Sequence, residues 1–329
     1  MIKRNISGIL ILDKPYGISS NKALQIVKYS YKAAKSGHTG TLDPMATGVL
    51  PICLGEATKF SSYLLNAHKS YEAVLKLGFI STTGDLEGEI KEIPCLQAQK
   101  LTIENCETVL RQFIGEIEQL PPMYSALKYQ GKPLYTYARR GEAIERKSRS
   151  VFIHDIKAKS MIGNELTIEV LCGTGTYIRT LAEDIGKALG CGGAYLIRLC
   201  RNSVGQFNLS QSTTLEALEG VDMANRDGRL LPIDSMLSDI PSVELDKKES
   251  QHISQGRIIL IDRSMLTISG EEIDCNNDQD VRLYYDQQFL GLGELSADFQ
   301  LKPKRLLSES YLSACLDRNK PIEKIKSEM

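Results

Sequence analysis

Apolar residues alternate with polar ones in several segments, and these segments are predicted to be strands. A continuous apolar run at 8–12 predicts a buried strand. Alternation at 71–79 and 166–172 predicts strands with one buried face, and 151–156 has the composition of a fourth strand. The first part of the chain is therefore expected to contain a sheet.

Other segments carry apolar residues three or four positions apart, which is the spacing of a helix with one buried face. This pattern predicts helices at 23–31, 103–114 and 178–189. Arg179 lies in the first turn of the third helix, next to its apolar stripe. A buried charge is rarely left unpaired, so we expect a carboxylate partner, held through two nitrogens of the guanidinium.

Towards the carboxyl end the pattern changes to short apolar segments separated by turns. They lie at 256–261, 281–285 and 289–295. Such short, closely spaced strands predict a small all-β module. The expected domains are 1–235, 236–307 and a polar tail, 308–329. Within the tail, 311–316 can form a helical turn or two.

Composition narrows the class of protein. The chain has 329 residues, enough for about two domains, with an ordinary 42% hydrophobic and 25% charged content. Eight cysteines without a C-x-x-C pair, and only four histidines, indicate neither a disulfide framework nor a metal site. No apolar run suits a membrane span or a signal peptide, so we expect a cytoplasmic protein. The formal net charge of −1 leaves any nucleic-acid partner to a local basic face.

A polar, glycine-rich stretch at 36–50 is the first candidate for a functional site. It is too polar and too rich in glycine to be a strand or a helix, and its glycines allow sharp turns or the close approach of a ligand. Its carboxylate, Asp43, precedes Pro44, which favours an extended backbone. A carboxylate on a stiff loop can be aimed at a reactive atom. An ordinary Asp-Pro turn would have the same pattern, so the pattern alone leaves both interpretations open.

A second candidate is the basic segment, residues 128–149. Its members are Lys128, Lys132, Arg139, Arg140, Arg146, Lys147 and Arg149, interleaved with Tyr129, Tyr135 and Tyr137. Basic residues mixed with aromatic ones suit a phosphate backbone with bases that can stack. A solvated amphipathic helix with tyrosines in the core would fit the same residues.

Four ordered motifs are more specific than these patterns. They are LDKPYGISS at 12–20, GHTGTLDPMATG at 37–48, PMYSALK at 122–128 and GTYIR at 175–179. In order and spacing they resemble the bacterial TruB family, the tRNA pseudouridine-55 synthases, over about 8–305. The resemblance implies an α+β fold. A catalytic domain with a large mixed, mostly antiparallel sheet and flanking helices would precede a small all-β PUA-type RNA-binding module.

The resemblance also implies a reaction, the isomerisation of the uridine at position 55 in the T-loop of tRNA to pseudouridine. The target base would be flipped out of its stack, and Asp43 would be the catalytic nucleophile. Whether Asp43 attacks the base or the sugar is left open. The reaction needs no redox cofactor, nucleotide or metal. The partner would be the T-stem-loop of tRNA, and the enzyme would act as a monomer without a protein partner.

Further roles follow from matching positions in the family. Arg179 would form an ion pair that keeps Asp43 ionised in a site shielded from water. Tyr71 would stack on the target uracil and could move a proton in the later step. His38 would fill the space that the flipped base leaves.

Three more positions match the family. Tyr177 and Leu199 would line the uracil pocket, and Lys14 would brace the fold near the catalytic loop. Three features depart from the family pattern. Gly173 replaces the usual serine, Cys200 stands where arginine is common, and the loop at 81–85 lacks the first acidic residue of the usual Thr-Asp-Thr run. None of these changes touches the residues given a catalytic role.

Two competing hypotheses remain at this stage. A tRNA-binding chaperone that acts on tRNA folding, with or without catalysis, could use the basic segment and the carboxyl-terminal module alone. The hypothesis of an enzyme that acts on phosphates or sugars is the weaker of the two. The 37–48 loop lacks the Gly-Lys-Ser/Thr ending of a P-loop, and its single carboxylate lacks the second acid that glycoside hydrolysis uses.

Overall fold

The fold is known from a computed structural model that describes residues 3–93, 100–262, 266–267 and 277–318. In its first part, strands are β1 (Gly8–Lys14), β2 (Ser36–His38), β3 (Thr47–Leu54), β4 (Lys69–Leu77), β5 (Phe79–Ser81), β6 (Ile90–Glu92), β7 (Gly115–Gln119), β8 (Lys128–Tyr129), β9 (Lys132–Pro133), β10 (Arg149–Ile162), β11 (Glu165–Cys172), β12 (Ala194–Val204) and β13 (Phe207–Asn208). All four strands predicted in this part of the chain are present, and the strand predicted at 71–79 begins and ends two residues earlier.

One large sheet organises this part of the chain. Within the described residues its order is β1-β3-β12-β4-β11-β10-β7, with β2 paired to β3 and β13 paired to β12. Neighbouring strands are antiparallel except β3 and β12, which run parallel. The prediction of a large mixed, mostly antiparallel sheet is confirmed.

Helices flank this sheet as predicted. They are α1 (Ser20–Ser30), α2 (Ser61–Asn66), α3 (Ile103–Leu110), α4 (Leu134–Ala138), α5 (Ile178–Ala188) and α6 (Met223–Asp227). Apolar residues of α1, α3 and α5 share one buried cluster with the inward side chains of the sheet. The helix predicted at 103–114 ends at Leu110 and continues as a short 3-10 turn. No described helix combines the length and the apolar character needed to cross a membrane.

The stretch at 36–50 is less irregular than its composition predicts. Residues Ser36 to His38 form β2, and β3 already begins at Thr47. The prediction that the whole stretch lies outside strands is therefore wrong at both ends. The cause is the pairing of β2 with the edge of β3. This pairing uses backbone hydrogen bonds, which glycine and polar residues can form as well as apolar ones.

A smaller sheet follows, with the helix α7 (Lys247–Ser254) against it. Its strands are β14 (Ser242–Glu244), β15 (Ile259–Leu260), β16 (Leu266–Thr267), β17 (Gln279–Tyr285), β18 (Gln288–Leu295) and β19 (Gln300–Leu306), in the order β15-β19-β18-β17-β14-β16. This confirms the small PUA-type β module. The predicted helical turns in the tail are present as part of α8 (Glu309–Arg318). Residues 319–329 lie outside the described part of the chain.

The two sheets share a buried apolar cluster. Phe289, Leu292 and Leu307 of the second part pack with Ile9 and Phe60 of the first. This cluster covers the face of β1 and β3 that is turned away from α1. The two parts bury side chains against each other, so the cluster does not separate them at any one residue. The domain boundary near residue 235 therefore stays a prediction.

Gly48 is a position where the backbone of β3 meets β12 without room for a side chain. Its φ is +102°, and a Cβ there would lie 2.3 Å from the carbonyl oxygen of Arg201. We expect Gly48→Ala to lower the free energy of unfolding by about 2–6 kcal/mol, from backbone strain plus overlap.

Urea unfolding measures this loss, and Gly220→Ala is the matched control. Gly220 has φ +70° but nothing within 4 Å of the added Cβ, so it should lose only about 1 kcal/mol through strain. Equal losses in both variants would contradict the role given to crowding at Gly48.

Candidate active site

The loop between β2 and β3 holds Asp43 through contacts to its backbone on both sides. The Ser20 hydroxyl, at the start of α1, donates to the Leu42 carbonyl at 2.9 Å and accepts from the Leu42 amide at 2.8 Å. The buried Lys14 ammonium donates to the carbonyls of Pro15 and Ile18, with a longer contact of 3.4 Å to that of Pro44. Lys14 therefore braces the loop, in the role that the resemblance implies.

Arg201 on β12 holds the same loop through hydrogen bonds to its backbone. Its Nε donates to the Val49 carbonyl at 2.7 Å and its Nη2 to the Gly40 carbonyl at 3.0 Å. These two carbonyls flank the Asp43 loop. Arg201 is 1% exposed and makes no ion pair with a carboxylate in the described part of the chain. Arg201 is not among the site residues predicted from the sequence, although an arginine at an inward position of a strand is a signal for such a role.

Arg179 joins two carboxylates, one of which is Asp43. Its Nε lies 3.0 Å from Asp43 Oδ2, and its Nη1 lies 3.5 Å from Asp85 Oδ2. Nη1 also donates to the Thr83 carbonyl at 2.9 Å, and Nη2 to the Tyr124 carbonyl at 2.7 Å. The expected carboxylate partner is present. The expected two-nitrogen contact to one carboxylate is replaced by one nitrogen to each of two acids, because the backbone carbonyls occupy the remaining donors.

Asp85 is the second residue that the sequence analysis did not place in the site. It is buried, accepts from the Thr83 hydroxyl at 2.6 Å, and lies in the loop between β5 and β6. Its own fixed position allows it to orient Arg179. No local pattern connects Asp85 with Arg179, because the two residues are 94 positions apart in the chain.

Burial raises the pKa of the Asp43 carboxyl above its ordinary value. Arg179 and Lys14 oppose this rise, whereas the nearby charge of Asp85 adds to it. The Asp43 side chain keeps 35% exposure, so its carboxylate faces the opening and not the core. A carboxylate that is only partly solvated is more nucleophilic than one in water, provided that a cation keeps it ionised.

A pocket of about 340 Å³ opens beside Asp43, within the size of small-ligand sites. Tyr71, Tyr177, Leu199 and Arg179 all line it. Tyr71 and Leu199 are inward residues of β4 and β12 and are 8% and 5% exposed. Five of the six site residues predicted from the sequence therefore meet in one cavity.

The sixth, His38, lies in β2 and is not among the residues that line the pocket. Burial and the nearby charge of Arg201 lower the pKa of its imidazole. The lowered pKa keeps the His38 imidazole neutral near pH 7. The sequence could not give its direction, because that depends on the pairing of β2.

Tyr177 is held in place from two sides. Its amide donates to Gln119 Oε1 at 2.9 Å, and Gln119 Nε2 donates back to the Tyr177 carbonyl at 3.3 Å. The Arg149 guanidinium lies 4.8 Å from the centre of the Tyr177 ring. Gln119 is fully buried at the end of β7 and has no sequence signal of its own.

The pocket wall beneath Tyr71 is positive. Lys69 donates to the carbonyls of Leu65 and Ala67, and burial together with Arg201 lowers its pKa to about 8. Burial raises the pKa of the Tyr71 phenol, and the nearby Arg201 opposes this rise. Tyr71 therefore stays protonated and can serve as a stacking surface or a proton donor.

The basic segment folds as the hairpin β8–β9, the helix α4 and an extended stretch to β10. Tyr129 and Tyr135 are 41% and 37% exposed, so the alternative with tyrosines in the core is wrong. The Arg139 guanidinium lies 5.5 Å from the centre of the Tyr135 ring. Within the described residues the ion pairs of this segment are limited to Arg140 with Glu142. Most of its positive charge is therefore available to a phosphate backbone.

The arrangement supplies a nucleophilic carboxylate, a cation that orients it, and aromatic and apolar walls for a flat ring. Comparison with known families agrees with this chemistry. Residues 28–178 match the amino-terminal domain of the TruB family pseudouridylate synthases. Residues 179–238 match the tRNA pseudouridylate synthase B C-terminal domain, and 241–307 match the C-terminal domain of pseudouridine synthase II TruB.

Solved structures share the fold. The chain aligns with one in a Cbf5-Nop10-Gar1 complex at a TM-score of 0.65 and 24% identity, covering 92% of this chain and 84% of that chain. A chain in an H/ACA RNP bound to a substrate RNA containing 2′-deoxyuridine gives 0.65 and 22%, covering 92% and 85%.

Curated relatives are much closer in sequence. The tRNA pseudouridine synthase B of Nitrosospira multiformis is 54% identical over 308 residues, covering 93% of this chain and 96% of the relative. That of Nitrosomonas europaea is 51% identical over 299 residues, covering 91% and 95%. The chain therefore belongs to the TruB family of tRNA pseudouridine synthases, and the resemblance found in its motifs is confirmed.

Proposed function

We propose that the enzyme isomerises the uridine at position 55, in the T-loop of tRNA, with Asp43 as the nucleophile. The proposal also has the enzyme act in the cytoplasm as a monomer on the T-stem-loop. The observation that carries it is the contact of Asp43 with Arg179 at the mouth of the pocket that Tyr71 and Tyr177 line.

In this proposal the target base leaves its stack and enters the pocket. Tyr71 stacks on the uracil, and Leu199 and Tyr177 close the other sides. Because 340 Å³ is a small volume, the pocket admits one nucleoside and not a paired base. The basic segment holds the backbone on either side, since five of its seven cations are exposed and its ion pairs in the described part of the chain are limited to Arg140 with Glu142.

The chemical balance requires one covalent exchange. Asp43 adds to the base or to C1′, the N1–C1′ bond breaks, the uracil turns, and a C5–C1′ bond forms. The bond to Asp43 breaks in the course of these steps, so the carboxylate is regenerated. The proton on C5 is lost and N1 gains one, so the reaction is an isomerisation. Arg179 keeps Asp43 ionised until it attacks, and Tyr71, whose side chain lines the pocket, takes part in the final proton transfer.

Release of tritium from tRNA transcripts labelled with [5-³H]uridine tests the reaction, because the C5 hydrogen is lost only on isomerisation. We expect one equivalent per tRNA, and none from a transcript with cytidine in place of uridine 55. Release from that second transcript would contradict the position. Chemical mapping of pseudouridine in total tRNA from cells that lack the protein tests the same site in vivo.

A second candidate function is assistance to tRNA folding, which the exposed basic segment favours. Asp43→Asn should leave this surface unchanged, because Asp43 lies in the pocket and not in the segment. Folding yields of a misfolded tRNA, measured with both proteins, separate the two activities. Equal yields support the chaperone function, and loss with the variant counts against it.

A further inference from the structure

Three aromatic side chains form a cluster on the outer face of the large sheet, and we call it the aromatic platform. The rings of His68 and His154 are stacked, with centres 4.0 Å apart and planes 27° apart. The Phe152 ring lies 4.7 Å from His154 and is tilted by 45°. The cluster has no role in the proposed reaction.

The platform is solvent-exposed because of how β10 is built. Ile153 and Ile156 are buried, whereas Phe152 is 47% exposed. The β10–β11 register shifts between Ile153 and Asp155, so His154 occupies a bulge. A bulge redirects a side chain, and here it brings His154 against His68, which precedes β4.

The platform adjoins the rim of the uracil pocket. Gly173 lines the pocket, and its amide donates to the Phe152 carbonyl at 2.8 Å. A Cβ on Gly173 would stand 3.8 Å from Phe152 Cβ, so glycine leaves this side of the ring uncrowded. Leu65 also lines the pocket, is 41% exposed, and accepts from the Thr174 hydroxyl at 3.0 Å. One short rim therefore separates the pocket from the platform.

The chemistry of the platform suits a nucleobase more than a phosphate. Its neighbours on the outer face offer little attraction to a phosphate, since Ser70 and Ser203 bond each other at 2.7 Å, Leu171 is exposed, and the acidic Glu116 of β7 lies opposite Phe152. Burial and His68 lower the pKa of His154, which leaves its ring uncharged near neutral pH. Neutral aromatic faces accept unstacked bases without regard to sequence.

We propose that the aromatic platform stacks on the nucleobase next to the target uridine. This inference rests on the proposed function, because flipping the uridine uncovers one face of each neighbouring base. A base that has lost its neighbour gains a new stacking surface just outside the pocket. The platform then favours the flipped state and holds the RNA strand at the rim.

The test uses T-stem-loop RNA with 2-aminopurine directly 5′ or 3′ of the target uridine. Stacking on the platform should quench its fluorescence with the parent enzyme at one of the two positions. For Phe152→Ala/His154→Ala we expect most of this quenching to be lost and KM to rise by about tenfold, with kcat unchanged. A role in folding alone would not change quenching at one position only.

Ile162→Ala is the matched control, because Ile162 is an exposed apolar residue of the same strand, 74% exposed and about 30 Å away. It should behave as the parent enzyme. Parental KM and quenching in the double variant would overturn the inference. An altered oligomeric state with parental KM would also overturn it and would assign the face to a second copy. Tritium release by the parent enzyme is measured first, on [5-³H]uridine T-stem-loop RNA that contains no 2-aminopurine. Its absence would refute the proposed function and not the role of the platform.

Discussion

Asp43→Asn is expected to abolish tritium release from [5-³H]uridine tRNA, with kcat falling by about 10⁴-fold or more. Asparagine keeps the shape of the side chain but removes the charge that makes the first covalent bond. The loop should stay in place, because Ser20, Lys14 and Arg201 hold its backbone and not the carboxylate. Single-turnover assays with excess enzyme measure the loss in the chemical step directly.

Filter binding of tRNA provides the control for this variant. We expect its Kd to change by less than about threefold, since an interaction made only in the transition state does not contribute to binding. Asp155→Asn is a matched substitution of an exposed acid that pairs with Lys157, and it should keep parental kcat. Turnover by Asp43→Asn within tenfold of the parent enzyme would refute Asp43 as the nucleophile.

Arg179→Met is the second large effect, with kcat/KM expected to fall by about 10²–10³-fold. The variant removes the cation that opposes the raised pKa of Asp43. That pKa should therefore rise further. Because the ionised carboxylate is the active form, the acid limb of the kcat/KM profile should move to higher pH. The profile between pH 5 and pH 9 measures the shift, since kcat/KM reports the free enzyme.

Loss of stability accompanies this variant and has to be separated from loss of function. Without Arg179 the buried Asp85 has no ion-pair partner among the described residues, which costs about 3–5 kcal/mol of unfolding free energy. Arg179→Met/Asp85→Asn removes that unpaired charge, so thermal unfolding should recover while kcat/KM does not. Recovery of activity together with stability would show that Arg179 acts only on the fold.

The sequence predicted the parts of the fold that depend on local periodicity. Alternation placed β4 and β11, and helical spacing placed α5 with Arg179 at its buried start. It also predicted a β module after the sheet. These features depend on residues within a few positions of one another, which is the range over which a pattern carries information.

What the sequence did not predict is set by contacts between distant segments. Asp85 and Gln119 act on residues 94 and 58 positions away, and Arg201 acts on a loop more than 150 positions earlier. The resemblance gave none of these three residues a role in the site. The direction of His38 likewise depends on the pairing of β2, which propensity does not encode.

The apolar cluster between the two sheets has a consequence for which RNA molecules the enzyme accepts. The smaller sheet cannot pivot on the larger one without uncovering Phe289 and Leu292 to water. An RNA that touches both sheets therefore meets two surfaces at one constant separation. The rigid cluster then lets the enzyme select an RNA by the distance between its two contact regions, without a side chain that recognises a base.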